Sequence, residues 1–362
     1  MIKLKWGKLR NREGFMRYAF APPAGLIATV CAWAAFGQTI SNVTGQPPAA
    51  VPATPPAHAA APPVTAMPAK QLFGAAAAPA PLETRAIGFY ARGCLAGAKP
   101  LPVDGTAWQV MRLLRNRNWG HPELVRLIER FASDAQKLDG WPGLLVGDMS
   151  QPRGGPMLTG HASHQIGLDA DIWFTPMPSH RLGDKEREDL SATSMLGPDN
   201  LSVDPAIWST RQVRLIKRAA SYPEVERIFV HPAIKKALCE GASAAGPDRG
   251  WLSKVRPYWG HYYHFHVRIR CPKDSATCKG QPDPAADDGC GKEVTDWLAL
   301  LARPPKPEKP SPPTHPMTLA QLPAECRIVL DAGSAAGAGG AGSASANKAS
   351  AAHPAAAPAV KQ

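Results

Sequence analysis

The sequence predicts a single α+β domain, with a mostly antiparallel central sheet flanked by helices, held between two low-complexity tails. Three observations lead there. Ala, Pro and Gly dominate residues 47–81 and 304–362, and such compositions cannot bury a core. Eight of the ten tryptophans fall between residues 82 and 303, a stretch the size of one ordinary or elaborated domain. Within that stretch, runs with helical spacing and runs that alternate follow one another without a regular strand–helix–strand repeat.

Taken in order, residues 121–138 (HPELVRLIERFASDAQKL) set Leu124, Leu127, Ile128 and Phe131 on one helical face. Residues 143–148 (GLLVGD) form a short apolar strand bounded by turn residues. The following QPRGGPMLTGHASHQIG is rich in Gly and small polar residues and reads as loop. Residues 167–174 (GLDADIWF) alternate, with Leu168, Ala170, Ile172 and Phe174 on one face and Asp169, Asp171 and Trp173 on the other. Asp204-Pro205 opens a helix that runs to residue 221. VERIFVHP (225–232) is a strand and AIKKALCE a short helix. HFHVRIRC (264–271) alternates strictly, with Phe265, Val267 and Ile269 inward and His264, His266, Arg268 and Arg270 opposite. EVTDWLALLA (293–302) is the last helix of the domain.

The ends have their own logic. A basic start runs into an apolar stretch at residues 24–36, too short for a confident membrane span and suited to a signal peptide. Residues 1–46 are therefore expected to be a signal peptide or an N-terminal anchor, the anchor giving a membrane tether through this segment. Residues 47–81 follow as a Pro/Ala-rich linker, and 304–331 as a Pro-rich extension. Residues 332–362 are expected to be a disordered Ala/Gly/Ser tail.

The net charge of +12 suits an anionic polymer such as a nucleic acid, a membrane surface or a cell-wall network. Six basic residues against one acid in the first seventeen account for part of it. No run of basic and aromatic residues tracks a groove, so no nucleic-acid partner is expected. Seven cysteines are present, none in a CxxC pair, which argues against a thiolate zinc site. Cys31 lies in the apolar stretch; the other six are an even set, read as disulfides of an exported protein.

Five of the eleven histidines fall in two clusters. GHASHQIGLDADIW holds His161, His164, Asp169 and Asp171, and GHYYHFH holds His261, His264 and His266. Zinc accepts imidazole and carboxylate ligands, and a catalytic site uses three with a fourth position open. The pair His264/His266 leaves one strand face together, and His164 sits at a loop end beside the strand that carries Asp171. The two units can converge on one ion, with Asp169 as a rival ligand on spacing alone. There is no HExxH helix, no GxSxG and no Gly-rich loop followed by Lys, which disfavours the commonest zinc-protease, serine-hydrolase and nucleotide readings.

At these residues the chain resembles the penicillin-insensitive murein endopeptidases, within the wider group of lysostaphin-type and D-Ala-D-Ala carboxypeptidase-type metallopeptidases. The segments GDMSQPRGGPMLTGHASHQIGLDADIW, RIFVHPAIKKALC, WLSKVRPYWGHYYHFHVRIRCP and DGCG carry the likeness, in the family's order, over about residues 85–330. The resemblance implies His164, Asp171 and His266 as zinc ligands and His264 as the catalytic partner of the zinc-bound water. His261 matches a further active-site histidine, and His161 one sometimes described as a ligand. Asp199 matches a ligand of a second metal, but Ser202 stands where its histidine partner is expected, which puts that ion in doubt. The cysteine pairs it implies are Cys94–Cys326, Cys239–Cys290 and Cys271–Cys278.

The function expected from the resemblance is a zinc-dependent endopeptidase, periplasmic, that hydrolyses D-alanyl–meso-diaminopimelyl cross-links in peptidoglycan. The alternatives are a zinc D-Ala-D-Ala carboxypeptidase and a non-catalytic, zinc-stabilised peptidoglycan-binding module. Arg268 and Arg270 share the histidines' strand face and suit either structural ion pairs or substrate carboxylates. Trp173 and Tyr262 suit either a groove lining or packing.

Overall fold

A computed structural model describes residues 67–303 and 316–333. The expected signal or anchor region and the terminal tail after residue 333 lie outside the described residues.

The elements run α1 (Ala69–Gly74), β1 (Arg85–Phe89), β2 (Arg92–Ala96), β3 (Lys99–Pro100), β4 (Trp108–Val110), β5 (Trp119–Gly120) and α2 (Pro122–Asp139). Next come β6 (Leu144–Val146), β7 (Asp169–Trp173), α3 (Asp184–Asp189), α4 (Thr210–Ser221), β8 (Val225–Val230) and α5 (Pro232–Gly241). The described part closes with β9 (Val255–Pro257), β10 (His264–Ile269), β11 (Cys278–Lys279), α6 (Lys292–Leu301) and α7 (Glu325–Asp331).

The central sheet has the order β4-β6-β7-β10-β8-β9. Its inner pairs, β6/β7, β7/β10 and β10/β8, are antiparallel, and the outer pairs β4/β6 and β8/β9 are parallel. The α+β class with a mostly antiparallel sheet is thus what the chain forms. Ala170, Ile172, Phe265 and Val267 point to the face covered by α2 and α4 and are fully or almost fully buried. Those helices bury Leu127, Ile128, Phe131, Leu215 and Ile216 against it. The site lies on the opposite face.

Two expectations need correction. Composition extends the Pro/Ala-rich linker to residue 81, yet Ala69 and Phe73 of α1 are fully buried. They join Ile87, Cys94, Leu322 and Val329 in a second, smaller core, so the folded body starts before residue 82. An apolar Leu72-Phe73 pair in an alanine-rich run is invisible to composition averaged over the segment. The helix expected from Asp204 instead starts at Thr210. Asp204 closes a turn through its carbonyl, which accepts from Ile207 and Trp208 N–H, and Ser209 with Gln212 forms the capping box. The β1–β2 hairpin and α3 carried no strong periodic signal and were not anticipated; α3 is held from within by the buried Arg187, whose Nη2 donates to Asp104 at 2.6 Å.

Cys94–Cys326, Cys239–Cys290 and Cys271–Cys278 are disulfides. The first ties α7 to β2 across 232 residues of sequence. Among the described residues no helix is long and apolar enough to cross a membrane.

Candidate metal centre

The site is built by sheet register. On the paired strands β7 and β10, His266 stands opposite Asp171, His264 opposite Trp173 and Arg268 opposite Asp169. Side chains at every second residue leave one face, so one antiparallel pair delivers two histidines and two carboxylates to one place. The loop before β7 supplies the rest. Gly167 feeds the strand at φ +72°, where a Cβ would stand 2.4 Å from Leu95 Cδ2.

His164, on that loop, has the left-handed φ of 65° that L-residues avoid. Three bonds hold it there. Its N–H donates to Asp169 Oδ2 at 2.9 Å, its carbonyl accepts from Ser150 Oγ at 2.7 Å, and its Nδ1 lies 2.6 Å from Met149 O. A carbonyl only accepts, so Nδ1 carries the proton and Nε2 presents a lone pair. On the other side, His266 Nε2 lies 3.0 Å from Asp169 Oδ1, so an ionised Asp169 favours the Nε2–H form and leaves Nδ1 as the lone pair.

Those lone pairs meet. His164 Nε2 and His266 Nδ1 are 3.2 Å apart, and Asp171 Oδ1 is 3.4 Å from the first and 3.3 Å from the second. Asp171 Oδ1 is buried and has no hydrogen-bond partner. With His164 protonated on Nδ1 and His266 on Nε2, three lone pairs converge on one point.

Asp169 is held away from that point. Arg268 grips it from behind, Nε donating to Oδ1 at 2.8 Å and Nη2 to Oδ2 at 3.1 Å. The guanidinium itself lies over the Tyr90 ring at 3.9 Å. Burial alone would raise the Asp169 carboxyl, but Arg268 and then His266 outweigh it and hold it well below the usual range. Burial likewise opposes ionisation of Asp171, and His264, His164 and His161 together hold it well below the usual range too. Arg268 is therefore a structural ion-pair partner, and the exposed Arg270 pairs with Asp283 at 2.9 Å.

Around the triangle stand the remaining histidines. His161 Nδ1 lies 3.6 Å from Asp171 Oδ2, and His161, His164 and Asp171 each offer an atom within 4.8 Å of the others. Its Nε2 is 3.0 Å from Asp148, the residue that also takes Arg117 at 2.8 Å and Arg115 at 3.1 Å. His264 Nε2 lies 3.5 Å from Asp171 Oδ2, and its Nδ1 is buried without a hydrogen-bond partner. Burial lowers the His264 imidazole, and Asp171 only partly offsets this. His261, at the left-handed φ of 51°, packs its ring 5.1 Å from that of His264. Burial, with His266 and His264 beside it, pushes its imidazole down to about 3.

Asp199 is not brought to this cluster among the described contacts. Its Oδ1 accepts from Leu201 N–H, Ser202 N–H and Ser202 Oγ at 3.0, 3.0 and 2.8 Å, closing its own exposed turn. A serine at that position supplies a hydroxyl that occupies the carboxylate instead of an imidazole.

Two clefts meet at the cluster. The larger, about 780 Å³, runs past Tyr258, Trp259, Phe229 and His261; the smaller, about 270 Å³, runs past Arg112, Trp173, Ser191 and Tyr262. Arg115, Asp148, His161, Tyr263 and His264 border both. Trp173, almost fully buried, lies under Arg112, whose guanidinium is 5.4 Å from its ring, while Tyr262 is exposed on the rim. Asp148 and the arginines of RLLRNR escaped the sequence reading. The charge run was their one signal, and an isolated charge run is usually a solvated face.

The chain matches the family described as "Penicillin-insensitive murein endopeptidase" over residues 86–331. A penicillin-insensitive murein endopeptidase of Haemophilus influenzae is 46% identical over 223 residues, 61% of this chain and 74% of that protein. One of Yersinia enterocolitica is 44% identical over 247 residues, 68% of this chain and 86% of that protein. A third, of Salmonella heidelberg, is 45% identical over 255 residues, 70% of this chain and 88% of that protein. The matched region contains both strands of the site, its histidine loop and all six paired cysteines, and on this extent the chain belongs to the penicillin-insensitive murein endopeptidase family.

Proposed function

We propose that the chain is a zinc-dependent peptidase that hydrolyses the D-alanyl–meso-diaminopimelyl cross-links of peptidoglycan. The observation that carries the reading is the triangle of His164 Nε2, His266 Nδ1 and Asp171 Oδ1, with edges of 3.2, 3.3 and 3.4 Å. Ligands 2.0–2.1 Å from a tetrahedral zinc stand about 3.3 Å apart. Three protein ligands, beside clefts that admit a substrate, are the composition of a catalytic zinc site rather than a closed structural one. The names of the relatives support murein as the substrate.

His164, Asp171 and His266 would hold the ion, with His161 next in line beyond Asp171 Oδ2. Bound there, zinc supplies Lewis acidity toward the scissile carbonyl and a nucleophilic water at neutral pH. The protein's own part is to position and to move protons. His264 Nε2 takes the proton of the attacking water and delivers it to the leaving nitrogen. The amide C–N bond breaks, one stem ends as a carboxylate and the other as a free amine. His261 Nδ1 lies 3.1 Å from Trp259 O, which holds the ring beside His264 with Nε2 available to substrate.

Peptidoglycan lies outside the cytoplasm, and three disulfides suit an oxidising compartment. The reading therefore includes a periplasmic location, with residues 1–46 as export signal or anchor. Digestion of purified peptidoglycan tests the function. Cross-linked dimers falling to monomers are expected. Free D-Ala as the sole product would make the chain a carboxypeptidase, and retention without products would make it a binding module.

A further inference from the structure

The smaller cleft is lined by two arginines, Arg112 and Arg115, and two carboxylates, of which Asp171 faces the proposed metal and Asp148 already serves Arg117 and His161. Arg115 and Arg117 share one oxygen, Asp148 Oδ2, at 3.1 and 2.8 Å, and His161 Nε2 reaches the same oxygen at 3.0 Å. Arg117 is nearly buried and spends its other donors on Thr159. Arg115 is half exposed, and among the described residues its guanidinium makes one hydrogen bond, to Asp148. Most of its guanidinium donors therefore face the cleft unused. Arg112 donates to the carbonyls of Arg187 and Leu190 and lies over Trp173, with no carboxylate within ion-pair distance. Arg115 shares its carboxylate with Arg117 and His161, Arg112 has none among the described residues, and these two incompletely compensated guanidinium groups line the same pocket.

The pocket also has a defined place relative to the chemistry. It begins at Asp171, His161 and His264, and Arg115 stands where it joins the larger cleft. A ligand group held by Arg115 is thus next to the bond presented to the cluster, not at a remote subsite. On the acyl side of the cross-link, the alanyl residue offers a methyl group and no carboxylate. On the amine side, the carbon that bears the scissile nitrogen also bears a carboxylate, two bonds from that nitrogen.

From this complementarity we infer that Arg115, backed by Arg112, binds the α-carboxylate of the residue whose amine is released, and so selects acceptors that carry a free carboxylate at that carbon. The inference rests on the cross-link endopeptidase reading and assigns the smaller cleft to the leaving stem. The larger, aromatic cleft then takes the acyl stem. A guanidinium–carboxylate contact is charge-assisted and can be bidentate, which an amidated acceptor cannot reproduce.

The test uses the zinc-loaded full chain and two muropeptide dimers, identical except that the acceptor carboxyl is free in one and amidated in the other. The wild type should favour the free acid by roughly 10- to 100-fold in kcat/KM, the range expected for losing one charged hydrogen-bonded contact. Arg115→Ala should lose that factor on the free acid, leave the amidated dimer nearly unchanged, and keep its zinc by metal analysis. Arg115→Lys should restore part of the preference. If Arg115→Ala slows both dimers equally, the residue only supports Asp148 and His161, and the inference fails. A wild type that cleaves both dimers equally also overturns it while leaving the endopeptidase reading intact. A wild type that cleaves neither overturns both.

Discussion

Arg268 and Asp169 stand opposite each other on neighbouring strands and meet through two hydrogen bonds, Nε to Oδ1 at 2.8 Å and Nη2 to Oδ2 at 3.1 Å. The pair is buried, and Asp169 also touches His266 Nε2 and receives the backbone N–H of His164. One carboxylate therefore orients two of the three proposed ligands. Removing Arg268 strands a buried charge, at a typical cost of ~3–5 kcal/mol. Arg268→Met should lose stability of that order in denaturant melts. Asp169→Asn should weaken zinc by roughly 10- to 100-fold, as other losses behind a ligand do, measured by chelator competition. Wild-type zinc affinity in Asp169→Asn would show that the ligands are oriented by other contacts.

The two histidines of HFH should separate by phenotype. His266→Ala removes a ligand, so bound zinc and turnover should fall together. His264→Ala leaves the triangle intact, so zinc should remain while cross-link hydrolysis drops by at least ~10²–10⁴-fold, the usual contribution of acid–base assistance. Loss of metal from His264→Ala, or near-normal turnover with metal bound, would reverse the assignment.

Metal dependence and stoichiometry make a third prediction. A chelator should abolish cleavage and added zinc restore it, while penicillin has no effect, because no serine nucleophile takes part. With Asp199 occupied by its own turn, exhaustively dialysed protein should hold one zinc per chain. Two tightly held ions would require Asp199 to leave Ser202.

Lys235 gives a pH prediction away from the metal. It is fully buried in α5, and its Nζ donates to Leu252 O at 2.9 Å and Asp288 O at 2.6 Å. Burial, with Arg256 adding to it, lowers its ammonium from 10.5 to about 7. Between those values the unfolded chain holds a proton that the folded one has released, so stability contributed here rises with pH from about 7 to 10.5. Below about 7 both states are protonated and the contribution is at its lowest. Lys235→Met should remove this slope from the pH dependence of Tm over that range, whatever it does to Tm itself.

How far the sequence could be read depended on whether a feature was local. Strict alternation groups His264, His266 and Arg268 on one side of their strand and Asp169 with Asp171 on one side of theirs, and the structure has both groups on the same face of the sheet. The long helix at residues 122–139 and the short strands around it were equally plain, because apolar spacing is a local property. What alternation cannot supply is register between strands, so nothing local says that His266 faces Asp171 while Asp169 is spent on Arg268. Spacing left both carboxylates open, and the resemblance was needed to prefer one. The left-handed backbone of His164 and the gathering of Arg115, Arg117 and His161 on Asp148 depend on loops, which carry no period. Phe73 is hidden by its neighbours: one buried ring in an alanine-rich run gives no period, and its partners at Ile87, Cys94, Leu322 and Val329 are distant in sequence.

That return has a consequence for how the protein is made. A ribosome delivers Cys94 first among the six paired cysteines and Cys326 last, yet these two are partners. Until Cys326 arrives, the members of the paired set open to Cys94 are Cys239, Cys271, Cys278 and Cys290, and each of those bonds is wrong. An oxidising environment that acts while the chain is still arriving will form such bonds, and they must be exchanged before α7 can seat on β2. The core around Phe73 is likewise completed late, because Leu319, Leu322 and Val329 join Ile87 and Cys94 in it only at the end. Maturation of this domain is therefore decided at its end, and the yield of active protein should depend on disulfide isomerase activity more than on oxidant.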